Sequence, residues 1–365
     1  MTHVRQILFS GAAIAIALNL GCSKDQTSSD GSGNAGTASQ PSFISIGTAP
    51  QGGVFNLFGN TAQGILDANK SEYGWRGITA ETTGGSLENL RLLDSDEIQL
   101  GLANSTISYF AVNGEGGFEK KYEVQSIMTL FPLIAMFVTK ADTGIESIAD
   151  LKGKRVVVGP EGAGFEYFIR PILEEHGVKF GKDKSDSDFE PVNTGMISSV
   201  GQLQDGSVHA TFLGGGIKSP AISNADSVMD IRLIPFEADK RNALIERLPS
   251  FTAATIPAKT YGGQDEPFAG LNVGSAQILV RSDADEEFVY NVTKLLYENL
   301  GKMAETIAAV KAVNAGNVSR NTGVDFHPGA ARFYKELAEK SESEQAEQPD
   351  EAKEEDQSAS DEATK

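Results

Sequence analysis

The chain has 365 residues, 31 Lys and Arg against 50 Asp and Glu, a formal net charge of −19, and one cysteine, Cys22. The acidic balance, with no basic stripe to track a phosphate backbone, excludes nucleic acid as a natural partner, and a lone cysteine excludes an internal disulfide framework. The length is large for a single hydrophobic core and suits two domains.

Residues 1–22 read as a secretory signal. Arg5 gives the positive start, and the apolar run from Ile7 to Leu20 is too short to cross a bilayer. In "LNLGC" small Gly21 precedes Cys22, as at the end of a bacterial lipoprotein signal. In that reading Cys22 is acylated and becomes the mature N-terminus. Asn19 stands where such signals carry Leu, and the alternative is a simple secreted protein with an incidental cysteine. Residues 23–42 are rich in Ser, Gly and Thr and form a flexible tether. Residues 341–365 carry ten acidic residues against two lysines, a net of −8. Such a segment buries too little apolar surface to offset its ordering entropy and is expected to be a disordered acidic tail. The body between tether and tail keeps about −11 of the charge.

The body opens with an alternating strand, "SFISIG", a loop "TAPQGG", and a helix with apolar Phe55, Leu57, Phe58, Ala62, Ile65 and Leu66 at helical spacing. "GITAETTGG" is a second strand and loop, and "SLENLRLLDSDE" a helix with Ser86 placed as N-cap. "IQLGLANS" is a third strand, followed by the helix "TISYFAVNG". Strand and helix in alternation predict a parallel α/β sheet whose loops at the strand carboxyl ends line the ligand crevice. The pattern returns at "RVVVGPEGAGFEYF", strand, Gly-rich loop and helix, and "HATFLGGG" adds another strand end. Two lobes facing each other across a cleft are the economical arrangement: lobe 1 from residues 43–132 plus about 285–338, lobe 2 from residues 133–284. The chain is expected to cross over near Phe131 and return between Ser250 and Asp285.

The motifs of catalysis are missing. There is no G-x-x-x-x-G-K-[ST], "GPEGAGFE" is not a dinucleotide fingerprint, and "GGSLE" is not a nucleophile elbow. His176, His209 and His327 lack a metal-ligand spacing, so neither metal nor cofactor is expected, and the chain reads as a non-enzyme.

The stretches "IGTAPQGGVFN", "TTGGSLENLRLLDSDEIQLGLANS", "GIESIADLKGKRVVVGPEGAGFE", "PSFTAATIPAKTYGGQDEP" and "FHPGAARFYKE" occur in an order that resembles the TAXI-type solute-binding proteins of tripartite ATP-independent periplasmic (TRAP) transporters. The resemblance implies a two-lobed type II periplasmic-binding-protein fold, a membrane permease as partner and no ATP hydrolysis. Several positions depart from that pattern: Asn104 stands for a usual Gln, Thr106 for Asp, Phe165 for a small hydroxyl residue, and Phe55-Asn56 for a Tyr-Tyr pair.

The function expected is that of an extracytoplasmic, lipid-anchored, monomeric receptor that captures a small organic anion, a dicarboxylate or an acidic amino acid such as glutamate, for a TRAP permease. A sensor lipoprotein that signals to a membrane partner, or a hydrolase using the same cleft, are the alternatives. An anion needs donors, which helix N-termini and close-approaching glycines supply. The candidate ligand-binding residues are Ala49, Gln51, Gly52, Gly53 and Phe55 in the first loop; Thr83, Gly84, Gly85 and Ser86 in the second; Asn104 and Ser105 in the third. The opposite lobe would contribute Gly162, Ala163, Gly164, Phe165, Glu166, Gly214 and Gly215. Glu166 is either a carboxylate favouring its helix N-terminus or a partner for a ligand ammonium. Arg91 and Arg170 follow their loops and read as mainly structural. Ligand contacts from both lobes would drive closure, and Gly164→Leu is expected to block backbone approach to the ligand without disturbing the fold.

Overall fold

A computed structural model of the chain describes residues 40–116, 118–248 and 250–347. Cys22, the signal, all but the last three residues of the tether, and the tail from residue 348 lie outside the described residues. The strands are β1 Phe43–Gly47, β2 Gly77–Glu81, β3 Leu100–Asn104, β4 Val124–Ala135, β5 Phe137–Lys140, β6 Arg155–Val157, β7 Glu190–Val192, β8 Ala210–Phe212, β9 Ile231–Leu233, β10 Thr252–Ile256 and β11 Phe268–Arg281. The α-helices are α1 Val54–Asn69, α2 Ser86–Asp94, α3 Ser105–Asn113, α4 Glu166–Glu175, α5 Met196–Gln204, α6 Pro220–Val228, α7 Ala238–Arg247, α8 Glu286–Glu298, α9 Leu300–Thr306 and α10 Pro328–Glu347.

These elements build two sheets. The larger runs β10-β11-β3-β1-β2, with β4 also paired to β11, and the smaller runs β7-β6-β8-β5-β9. Each has three parallel strands in the order second, first, third, followed by an antiparallel strand beside the third, β11 in the larger sheet and β5 in the smaller. This is the type II periplasmic-binding-protein arrangement expected. The sheets are mixed rather than parallel, because β5 runs antiparallel to β8 and β9 and β11 antiparallel to β3, β4 and β10.

The chain leaves the larger sheet at Met136, between β4 and β5, and re-enters it at Thr252. The boundaries expected at 132/133 and 284 therefore shift. The apolar run of β4 continues the larger sheet through Ala135. The strands β10 and β11, assigned to lobe 2, are a hairpin that completes the larger sheet, because β11 pairs with β3 and β4 along its length. The last helix, α10, starts at Pro328, whose fixed φ suits the first helical turn, and runs to Glu347. The segment 341–347 is thus helical rather than part of a disordered tail.

Burial follows the periodicities. β1 turns Ile44 and Ile46 inward, α1 buries Phe55, Phe58, Ala62, Ile65 and Leu66 along one stripe, and β3 is buried throughout. One apolar cluster lies between the larger sheet and α1, α8, α9 and α10. The other is continuous from α2 and α3 through the smaller sheet and α4 to α7. Close packing of α2 on the sheet depends on two glycines. A Cβ on Gly47 would lie 2.5 Å from Asn89 Oδ1, and one on Gly101 2.9 Å from Leu93 Cδ1.

Candidate functional site

The first three strands of the larger sheet end together, and one side chain fixes their ends. Asn89, on the buried face of α2, is fully enclosed. Its Nδ2 donates to Thr48 O and Leu102 O, both at 2.7 Å, and its Oδ1 accepts from Thr83 Oγ1 at 2.7 Å. Both donor hydrogens and the acceptor are used, so the loops after β1, β2 and β3 share one anchor. Asn56 adds a second tie, donating from Nδ2 toward Ala49 O at 3.2 Å and Thr82 Oγ1 at 3.3 Å. At the third loop Asn104 caps α3: its Oδ1 accepts from Thr106 N at 2.8 Å while Nδ2 donates to Val273 O at 3.1 Å.

Above these ends lies a cavity of about 60 Å³. Larger-sheet loops enclose one side and smaller-sheet loops the other. Of the residues expected from the sequence, Ala49, Gly53, Phe55, Gly84, Gly85, Ser86, Asn104, Ala163, Phe165, Gly214 and Gly215 line it. The other seven do not, and each has a physical reason. Thr83 is buried with its hydroxyl donated to Asn89 and its oxygen accepting from Gly85 N at 3.2 Å. Ser105 is buried and accepts from Ser275 N at 2.9 Å. Gln51, Gly162 and Glu166 are exposed away from the cavity. Gly52 and Gly164 are contacts between the halves.

Those contacts define a closed arrangement. Gly52 O accepts from Ala221 N at 3.0 Å, and a strand-like bridge joins Ile134 to Gly215 with two bonds of 2.9 Å. Gly164 has φ +82°, and a Cβ there would lie 2.8 Å from Ile107 Cδ1 and 3.2 Å from Leu87 Cγ. A side chain at 164 would therefore meet the opposite half rather than the ligand, which corrects the expected effect of Gly164→Leu. Tyr167 on α4 extends the seam, with its ring 6.1 Å from Phe110 and 5.9 Å from Phe118, the latter stacked. Burial, with the nearby Glu166 carboxylate, raises the Tyr167 pKa above the ordinary tyrosine value.

Ser86 was expected to cap α2 and is instead its first residue. The cap is Gly85, whose φ of +111° a side chain would strain. The N-termini of α1, α2 and α5 all begin at the cavity with glycine caps, Gly53, Gly85 and Gly195, that contribute no side-chain hydrogen bond. Their first-turn N–H groups are the orphan donors of helix ends.

Several lining residues were not anticipated, chiefly Phe168, Phe212, Ile107, Met196, Leu133 and Val273. Phe212 read as ordinary strand core, and its ring does pack at 5.1 Å on Phe137, but its other face reaches Phe165 at 5.6 Å and Phe168 at 5.7 Å. Val273 comes from β11, and no local pattern links it to Asn104. Asn89 carried a usable signal: an Asn on the apolar stripe of a helix, where propensity disfavours it. Arg91 is exposed and Arg170 lies 4.6 Å over the Phe180 ring, and neither lines the cavity. The histidines are structural: His209 Nδ1 accepts from Arg155 N, His176 Nδ1 lies 2.8 Å from Ile172 O, and His327 Nδ1 accepts from Gly329 N. Among the described residues no group of three or more His, Cys, Asp or Glu could hold a metal ion.

Two sheets, linked by two crossings of the chain and lining a cavity at their strand carboxyl ends, have the type II periplasmic-binding-protein fold. The NMT1-like family matches residues 46–337, and the chain belongs to that family. Solved structures with a similar course include the alkanesulfonate-binding protein SsuA from Xanthomonas axonopodis pv. citri bound to MOPS, at 15% identity and TM-score 0.45, covering 82% of this chain and 85% of that one. The periplasmic aliphatic sulphonate binding protein SsuA from Escherichia coli is similar at 13% identity and TM-score 0.42, over 81% and 79%. A putative L-cystine ABC transporter protein from Listeria monocytogenes matches at 14% identity and TM-score 0.45, over 75% and 99%.

Proposed function

We propose that the protein is an extracytoplasmic solute-binding receptor that captures a small organic anion and delivers it to a membrane permease of the TRAP type. One observation carries the reading: a small cavity enclosed jointly by loops of both sheets, at their strand carboxyl ends, with three glycine-capped helix N-termini meeting there. Such ends attract negative charge, at about 0.3–1 kcal/mol each and up to about 2 when partly buried. A cavity lined by loops of both sheets suits capture and release; the lining offers no nucleophile–base pair for hydrolysis.

In this reading the chain is a TAXI-type receptor, Cys22 is the lipid anchor, residues 23–42 are a tether of roughly 25 Å root-mean-square span, and the receptor works as a periplasmic monomer. Among the described residues no helix is long and apolar enough to cross a membrane. Mass spectrometry of the natively purified protein tests capture: a co-purifying small organic anion is the expected result, and its absence together with no calorimetric response to any organic acid would end the proposal. Cys22→Ser tests the anchor, since the variant should become fully soluble. Co-purification with a multi-spanning permease supports transport; co-purification with a kinase or cyclase supports the sensor alternative instead.

A further inference from the structure

The chemistry of the cavity wall narrows the ligand further than charge alone, given the receptor reading above. No charged side chain lines the cavity. Its only polar side chains are Ser86 and Asn104. Asn104 is committed to Thr106 N and Val273 O. Ser86 is 4% exposed, and its Oγ accepts from Asn104 N at 3.0 Å. Among the described residues nothing accepts the Ser86 hydroxyl proton. A buried hydroxyl fixed through its oxygen therefore presents one donor to the cavity, beside the open first-turn N–H groups of α2. The remaining wall is dominated by Phe55, Phe165, Phe168, Phe212 and Met196.

We infer that the site takes a compact monocarboxylate with an aromatic or branched aliphatic body, its carboxylate at Ser86 and the α2 N-terminus and its body among the phenylalanine rings. A dicarboxylate would leave its second charge against those rings with no cation to pair it, which is costly in a dry site. An amino acid would bring an ammonium, and the wall holds no carboxylate to receive it: Glu166 is exposed outside the cavity, and Glu88 is exposed and already accepts from Gly84 N. The dicarboxylate and acidic amino acid expected from sequence are thus the poorer fits.

Titration calorimetry of the mature protein, after partial unfolding and refolding to strip any co-purified molecule, decides the matter. The probes are benzoate, 3-methyl-2-oxobutanoate, succinate, L-glutamate and the neutral benzyl alcohol. Benzoate or 3-methyl-2-oxobutanoate should bind at least about 100-fold more tightly than succinate or glutamate, because an uncompensated buried charge is that expensive. Ser86→Ala should weaken the preferred acid by about 10-fold, the loss of one hydrogen bond to a charged group, and Ser86→Thr should restore it. Phe165→Arg, at a half-buried position, should bring succinate into range. Tighter binding of succinate or glutamate overturns the monocarboxylate assignment and leaves the receptor reading intact. Benzyl alcohol binding as well as benzoate overturns the anion itself. No binding by any probe, with no small molecule found on the native protein, overturns the receptor reading as well.

Discussion

The two walls of the cavity are built on opposite principles. The larger-sheet wall is held by hydrogen bonds: Asn89, Asn56, Thr83 and Asn104 tie three loops to one another, and every tie is saturated or nearly so. The smaller-sheet wall is held by packing, with Phe165, Phe168 and Phe212 in a triangle of ring contacts at 5.6–5.7 Å. A directional network fixes donors at set positions, as an anionic head requires. A packed aromatic wall imposes volume and excludes water, as an apolar body requires. Burying a polar network is safe only when every member is satisfied, and the Ser86 hydroxyl, whose proton nothing among the described residues accepts, faces the cavity.

Removing the centre of the aromatic wall should have the largest effect. Phe212→Ala deletes a ring that is 1% exposed, and should cost about 3–5 kcal/mol in chemical denaturation by transfer and cavity terms together. A loss below about 1 kcal/mol would show that the wall collapses to fill the space, and the contrast between packed and bonded walls would weaken. Asn89→Leu attacks the other wall. It keeps the volume but removes three buried hydrogen bonds, at about 1 kcal/mol each with more for carbonyls left unpaired. The expected loss of roughly 3 kcal/mol should come with weaker ligand binding, since three loops lose their anchor. Unchanged binding in a folded Asn89→Leu protein would mean the loops hold themselves.

Gly164→Leu tests closure, with backbone strain at a φ of +82° added. The added side chain meets Ile107 and Leu87 of the opposite half, so small-angle scattering should report a more open molecule and affinity should fall at least about 100-fold, the closed state being the binding-competent one. A compact variant with wild-type affinity would refute the assignment of Gly164 to the seam. The smallest effect concerns pH at a site remote from both walls. Burial lowers the His327 pKa, opposed by a hydrogen bond at Ala284 and by the Glu286, Asp285 and Asp283 carboxylates. The folded state therefore favours the neutral ring, while the unfolded chain protonates near the ordinary value of about 6.5. Stability from this group is complete above that pH and declines as pH falls through it toward the lower folded value. His327→Gln should flatten the slope of melting temperature against pH in that window, and an unchanged slope would assign it to other groups.

Most of the architecture was legible because it rests on local signals. Alternation, helical spacing and glycine loops located β1 to β3, α1 and α2 and the repeat at β6 and α4, each a pattern within about fifteen residues. What escaped depended on pairing between distant segments. The hairpin β10–β11 reads as strands from its composition, but its membership of the larger sheet is decided by partners more than 150 residues away. The same limit divided the site. Glycines near helix starts and strand ends are visible in sequence, so Gly53, Gly85 and Gly215 were anticipated among the residues that line the cavity. Whether a polar side chain is free or spent is not visible: Thr83 and Ser105 have the right chemistry and give it to Asn89 and Ser275. The apolar character of the wall escaped because Phe212 and Met196 look like any core residue until the second sheet is placed opposite the first.

The carboxylate of Glu88 on Gly84 N has a consequence for how the receptor discriminates by strength rather than by shape. The second loop arrives with its own counter-ion, held on a short tether and present at high effective concentration. Any solute anion at the α2 N-terminus meets a field that this carboxylate has already partly neutralised. For the anion receptor proposed above, this would set the loop against weakly bound inorganic anions, which lack an apolar body to make up the difference, and hold affinity for all anions below what the bare loop would allow. Glu88→Gln lifts that competition, so the variant should bind chloride and simple carboxylates more tightly and discriminate among them less.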